Sequence, residues 1–246
     1  MKRREFCQSI LLGSACCAGV VGLDSALAIH SPSTQVKSHH KWVVLYWMPY
    51  DNDLAEYGEQ IVEMLVRGTE NSTTAIAVQS DYLGNAQMRR RHIADGTVTE
   101  MDISGEDSSD ASALAAYLDW AHQTFEADHW AVIIVGHGGK INEVSLDVHS
   151  VNDRRATWMG VDQFTQVVEN FNHLVSDRVE LLFFQNCNKA TLEVIYEARN
   201  CAHYTLASQF TLYAPNYYYV DFLNSLVSLD DGRAAAIAIM GLLEIK

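Results

Sequence analysis

The sequence predicts a three-layer α/β sandwich, a mostly parallel central sheet with helices on both faces. Two observations carry this. Five apolar runs rich in β-branched residues, "WVVLYWM" (42–48), "TTAIAVQS" (73–80), "WAVIIVG" (130–136), "VELLFFQ" (179–185) and "YTLASQ" (204–209), alternate with segments of helical period at about 53–67, 110–127, 161–175 and 189–201. The runs are near-continuously apolar, as parallel strands covered on both faces must be.

The chain opens with "MKRREF", a basic segment, followed by the apolar "SILLGSACCAGVVG" and the small-x-small triplet Ala26-Leu27-Ala28. This is the pattern of a removable export signal over residues 1–28, with the mature chain starting near Ile29. Arg3-Arg4 followed by Phe6 resembles a twin-arginine signal; a plain secretory signal reads equally well. A lipoprotein reading at Cys16 is weaker, because Gly13 stands where a bulky aliphatic is wanted. The apolar run is short for a bilayer span, so no membrane span is expected in the mature form, which would be periplasmic or extracellular. Residues 29–40 read as a polar leader in which His39 and His40 face solvent, and residues 41–246 as one domain.

The formal charge is −14, and losing residues 1–28 removes three basic and two acidic side chains to leave −15. That excess argues against nucleic acid or an anionic membrane as partner. Cleavage also takes three of the five cysteines, leaving Cys187 and Cys201. Both fall on one predicted helix, so at about 1.5 Å per residue they lie roughly 20 Å apart, beyond disulfide reach. Cys187 is expected to be a free thiol.

Past the second strand, "MRRRHIADGTVTEMDI" alternates in period two around Ala94-Asp95-Gly96 and predicts a hairpin. "SGEDSSD" supplies turn residues and a helix cap at Ser109 or Asp110. Residues 139–160 show no clear period and are expected to form a long functional loop.

Two reactive side chains fall at strand ends, where open α/β sheets gather their ligand sites. "WAVIIVGHGG" delivers His137 after the third strand, and "VELLFFQNC" delivers Cys187 after the fourth, fifty residues on. A thiol becomes a useful nucleophile near neutral pH when a base takes its proton, and imidazole is the natural base. If Cys187 begins a helix, that helix's free N–H groups would favour the thiolate and an oxyanion. The glycines after His137 would let a backbone N–H approach a substrate carbonyl. The constellation points to acyl transfer through a thioester. Each residue alone has a plainer explanation, a buried small thiol and a hydrogen-bonded loop histidine; the pairing at matched strand ends is what argues for chemistry. Asp51 and Asp53 read first as a strand-end turn and helix cap, and Asp51-Asn52-Asp53 lacks the glycine and glutamate of an EF-hand.

The stretches "WVVLYWMPYDNDLAEYGEQIVEML", "AIAVQSD", "HWAVIIVGHGG", "LLFFQNCNKATLEVIYEAR" and "YTLASQ", in that order, resemble the clostripain family of cysteine peptidases, in the caspase-like clan with legumain, gingipain and caspases. The likeness runs over roughly residues 41–228. It implies a caspase-like fold and an endopeptidase acting on peptide or protein substrates. His137 would be the general acid/base, Cys187 the nucleophile, and Gly138 with the Cys187 N–H the oxyanion hole. It implies no metal in the chemistry, with calcium as a possible cofactor, and a processing site in the 139–160 loop, where Arg154-Arg155 stand. Family members use an aspartate two residues before the cysteine to read arginine or lysine; here that position is Gln185, and Gln209 stands where glutamate is usual. Without those carboxylates a buried cationic side chain loses its counter-charge, so Gln185, Gln209 and Asp51 are the candidate substrate contacts and a neutral P1 residue is expected. The alternative is a catalytically silent peptide-binding homologue. The family pattern also implies a longer C-terminal region than "GLLEIK" leaves.

Overall fold

The computed structural model describes residues 37–149 and 154–244. Its nine strands and six helices follow in chain order: β1 (Ser38–Tyr50), α1 (Ala55–Gly68), β2 (Thr74–Tyr82), β3 (Met88–Ala94), β4 (Thr97–Ile103), α2 (Ala111–Thr124), β5 (Phe125–Val135), β6 (Glu143–Asp147), β7 (Thr157–Gly160), α3 (Val161–Leu174), β8 (Val179–Gln185), α4 (Leu192–Glu197), β9 (Tyr204–Ala207), α5 (Tyr219–Leu226) and α6 (Gly232–Glu244). Seven strands form the main sheet in the order β4-β3-β2-β1-β5-β8-β9. β2, β1, β5, β8 and β9 run parallel, and β3 and β4 form the antiparallel hairpin foreseen around Asp95-Gly96, both at positive φ as such a turn requires.

Alternation along each central strand divides the apolar side chains between two cores. On β1, Val43, Leu45 and Trp47 face the layer of α2 and α3 with Leu114, Tyr117, Phe164 and Phe171. Trp42, Val44, Tyr46 and Met48 face α1, α5 and α6 with Ile61, Leu65, Tyr219, Phe222 and Ile239. The edge strand β4 is exposed along its length and carries Glu100 and Asp102, charges that discourage a further strand from pairing there. Asp110 caps α2 by accepting from the Ser112 N–H.

Three expectations need correction. Residues 38–40 are the first residues of β1, and the exposed His39 pairs with Asp128 at 3.1 Å, so the polar leader is shorter than its composition suggests. The 139–160 segment holds a two-stranded sheet, β6 with β7, invisible to periodicity because the pairing is short and its register shifts. The helix expected over 189–201 is six residues of α4 followed by a 3₁₀ turn over Ala198–Asn200. The export signal, residues 1–28, lies outside the described residues. No described helix is long and apolar enough to cross a membrane.

Candidate active site

β5 and β8 are parallel neighbours, and their register pairs Val135 with Gln185. Two residues past that pair stand His137 and Cys187, so the chain delivers both from one level of the sheet. The connection is fastened from below by Asn186, fully buried, whose amide N–H group donates to the carbonyls of Gly136 (2.9 Å) and His137 (3.0 Å). Gly138 packs directly on the cysteine's backbone: a Cβ there would sit 2.2 Å from the Cys187 carbonyl oxygen and 3.1 Å from its nitrogen. A third tie is Lys189, 1% exposed, which donates from Nζ to the Lys140 carbonyl at 2.6 Å. Burial lowers the Lys189 ammonium to about 8.

Cys187 is half-buried and its Sγ lies 3.6 Å from the Leu212 carbonyl oxygen. It does not begin a helix. Residues 187–188 form a turn with Asn188 at φ 59°, and α4 starts only at Leu192, where Thr191 accepts from the Val194 N–H. Asn188 tolerates the left-handed conformation and Thr191 is a strong cap, so local chemistry delays the helix. The dipole of α4 therefore has no direct line to the sulfur. Cys201 is free and buried, with its thiol raised to about 12 by burial. The two cysteines remain unpaired, but the helical spacing behind that expectation is replaced by the turn and short helix.

His137 Nε2 lies 2.7 Å from Asp53 Oδ1. The capping role expected of Asp53 is not filled: α1 has no side-chain cap, and Asn52 Oδ1 accepts from the Leu54 N–H in the turn that precedes the helix. The Asp53 bond orients the ring and leaves Nδ1 outside the pair. Because Asp53 is 79% exposed, water weakens its hold. On a His137–Cys187 dyad mechanism, Asp53→Asn is expected to lower kcat about tenfold with KM little changed, measured by steady-state hydrolysis of a peptide substrate. The signal for this contact is "DNDL" at the end of the first strand, which spacing alone does not direct toward residue 137.

The candidate substrate contacts do not gather at one place. Gln185 is 5% exposed, and its amide is held at both ends: Nε2 donates to the Tyr219 hydroxyl (2.8 Å), and Oε1 accepts from the Tyr218 hydroxyl (2.7 Å). Only its remaining N–H and lone pair are left for a ligand. The two tyrosines lie in the run "NYYYV", which carries no signal of this contact in the sequence. Gln209 is exposed on the segment after β9, which runs alongside the cysteine turn through Asn188 N–H to Phe210 O (3.2 Å) and Ala190 N–H to Ser208 O (2.9 Å). Asp51 is turned inward and 2% exposed, the position of an internal charge rather than of a group presented to a substrate.

Glu106, Asp147 and His149 bring ligand-type atoms within 4.8 Å of one another. A cation already lies among them: Arg154 donates to Glu106 at 2.9 Å and lies 3.3 Å from His149 Nδ1. His149 Nε2 is engaged by Thr157 at 2.7 Å. This trio fits an internal ion-pair network better than a metal centre.

The model of the clostripain family, peptidase C11, matches residues 46–241. This chain belongs to the clostripain family. Among solved structures, it is similar to a secreted C11 cysteine protease from Bacteroides thetaiotaomicron in complex with an irreversible peptide inhibitor, at TM-score 0.65 and 18% identity, over 80% of this chain and 57% of that one. It is also similar to an inactive zymogen C11 protease from Parabacteroides distasonis, at TM-score 0.63 and 18% identity, over 83% of this chain and 57% of that one. The clostripain-family chain thus spans less than two thirds of the length of these structures, and at such identity they speak for the fold. The expected three-layer caspase-like α/β architecture is borne out. No curated protein matches the sequence.

Proposed function

We propose that this clostripain-family chain is an exported cysteine endopeptidase that works through His137 and Cys187 and accepts a neutral P1 residue. The observation that carries the reading is the Val135–Gln185 register with Asn186 bonded to the His137 carbonyl, which makes the two strand ends neighbours. His137 takes the thiol proton as Cys187 Sγ attacks the scissile carbonyl carbon. The oxyanion is received by backbone N–H groups at Gly138 and Cys187, whose close approach glycine alone permits. The imidazolium returns the proton to the departing amine, leaving a thioester. Water, deprotonated by the same imidazole, then releases the acid and restores the thiol. Asp53 keeps the ring in place throughout.

The neutral P1 preference is supported by Gln185, an amide held between Tyr218 and Tyr219 where a carboxylate would otherwise attract arginine or lysine. Export is supported by "MKRREF" and Ala26-Leu27-Ala28.

Profiling the purified protein against a peptide library, with Cys187→Ala as control, tests the reading. Cleavage after neutral residues is the expected result. Cleavage after arginine alone overturns the P1 assignment and leaves the peptidase standing. Binding without cleavage, with Cys187 intact and reactive, favours the silent homologue.

A further inference from the structure

A cavity of about 320 Å³ lies between the β2–β3 side of the sheet and the first turns of α2, lined by none of the residues of the candidate active site. Two buried polar side chains form part of its wall, Gln79 on β2 and Arg90 opposite it on β3, at 2% and 6% exposure. They are joined by Arg90 Nε, which donates to Gln79 Oε1 at 2.8 Å. The Gln79 amide in turn places one hydrogen on the Met88 sulfur (3.2 Å), a weak acceptor. The Arg90 guanidinium lies over Trp120, with Cζ 4.8 Å from the ring centroid, and 5.6 Å from the centroid of Tyr117. Among the described residues no carboxylate pairs with it, and no acceptor meets its Nη1 or Nη2.

A buried guanidinium without a counter-ion is costly, and burial lowers Arg90 from its ordinary value. The next residue shows the contrast: Arg91, equally buried, carries Glu59 at 2.7 Å and Glu100 at 3.0 Å. The acids that share the cavity with Arg90 are engaged elsewhere, Glu106 and Asp107 by Arg154 (2.9 and 3.7 Å) and Asp110 by the Ser112 N–H and hydroxyl (2.8 and 2.6 Å). We propose that this cavity binds a small organic monocarboxylate with an apolar body. The planar fork of Arg90 matches the two oxygens of a carboxylate, and the remaining amide hydrogen of Gln79 lies on the same wall. Met88, Ile103, Ala113 and Ala116 supply the apolar lining, and the volume, near the lower bound of small-molecule sites, suits one ring or a short aliphatic chain. The three nearby acids disfavour phosphate or another polyanion. Occupancy of this cavity is independent of whether the chain cleaves peptides.

The test titrates the full mature chain at low salt with sodium phenylacetate, neutral phenylacetamide or sodium phosphate, read by calorimetry and thermal unfolding. Saturable one-to-one binding of phenylacetate is expected, with Kd of about 1 mM or tighter and a rise in Tm at excess ligand; the amide and phosphate should bind at least about tenfold more weakly. Arg90→Met should weaken phenylacetate at least about tenfold. Arg89→Gln, which alters a side chain lying 3.7 Å from Asp102 on β4, should leave it unchanged. If Arg90→Met fails to fold, Gln79→Leu carries the same comparison. No binding of phenylacetate at about 10 mM would overturn the proposal. So would an affinity that survives Arg90→Met, one that Arg89→Gln also removes, or phosphate or the amide binding as tightly as phenylacetate.

Discussion

Replacing Cys187 by alanine is expected to lower peptide hydrolysis by at least about 10⁴-fold, and His137→Ala by a similar factor. The double replacement should cost scarcely more than either single one, because a nucleophile without its base and a base without its nucleophile fail at the same step. Tm should stay within about 2 °C of wild type for Cys187→Ala, since the side chain is half-buried and its one hydrogen bond is a long thiol contact to the Leu212 carbonyl. The measurement is kcat/KM on a cleaved library peptide, paired with iodoacetamide labelling. Label should enter at Cys187 and spare Cys201, whose thiol is buried and raised to about 12. Retention of a tenth of the activity in Cys187→Ala would remove this residue as nucleophile.

Gly138→Ala should act almost as strongly by another route. The added methyl would lie 2.2 Å from the Cys187 carbonyl oxygen, 3.0 Å from its carbonyl carbon and 3.1 Å from its nitrogen. All three are backbone atoms of the turn two residues past β8, so no rotamer change relieves the clash. The histidine loop and the cysteine turn must move apart. An oxyanion donor displaced by as little as 1 Å costs on the order of 10²-fold or more, so kcat/KM should fall by about 10²–10³-fold. Overpacking of this kind costs about 1–3 kcal/mol in stability, a modest fall in Tm that unfolding experiments will register. Iodoacetamide should still reach Cys187, which separates lost geometry from a lost nucleophile. Activity within threefold of wild type would show that the loops separate without consequence and that Gly138 is not a donor.

The parallel sheet was legible because its strands are buried on both faces and therefore apolar at every position; "WVVLYWM" and "WAVIIVG" admit few other interpretations. The Asp95-Gly96 hairpin was legible for a different reason, that its turn demands residues tolerant of positive φ. β6 and β7 were hidden because pairing of a few residues with a register shift leaves no period. His137 and Cys187 could be picked out by their place just after apolar runs, but the side chains that support them could not. Asp53, Asn186, Lys189 and the Tyr218–Tyr219 pair reach the site across the chain, and the contacts of a side chain 30 to 90 residues away are set by topology. The misplaced helix start has the same origin: Asn188 and Thr191 are turn and cap residues, and the helical periodicity beyond them does not mark where the first turn closes.

Because Asn186 spans from the end of β8 to carbonyls just beyond β5, the spacing between His137 and Cys187 is written into the interior of the sheet. Anything that slackens that spacing must first pull a pair of central strands apart, which is the last event in the life of the folded protein. Loss of function at temperatures below global melting therefore has to originate in the outer coverings, the segment after β9 or the turn bearing Asp53, where a groove can deform while its foundation stays whole.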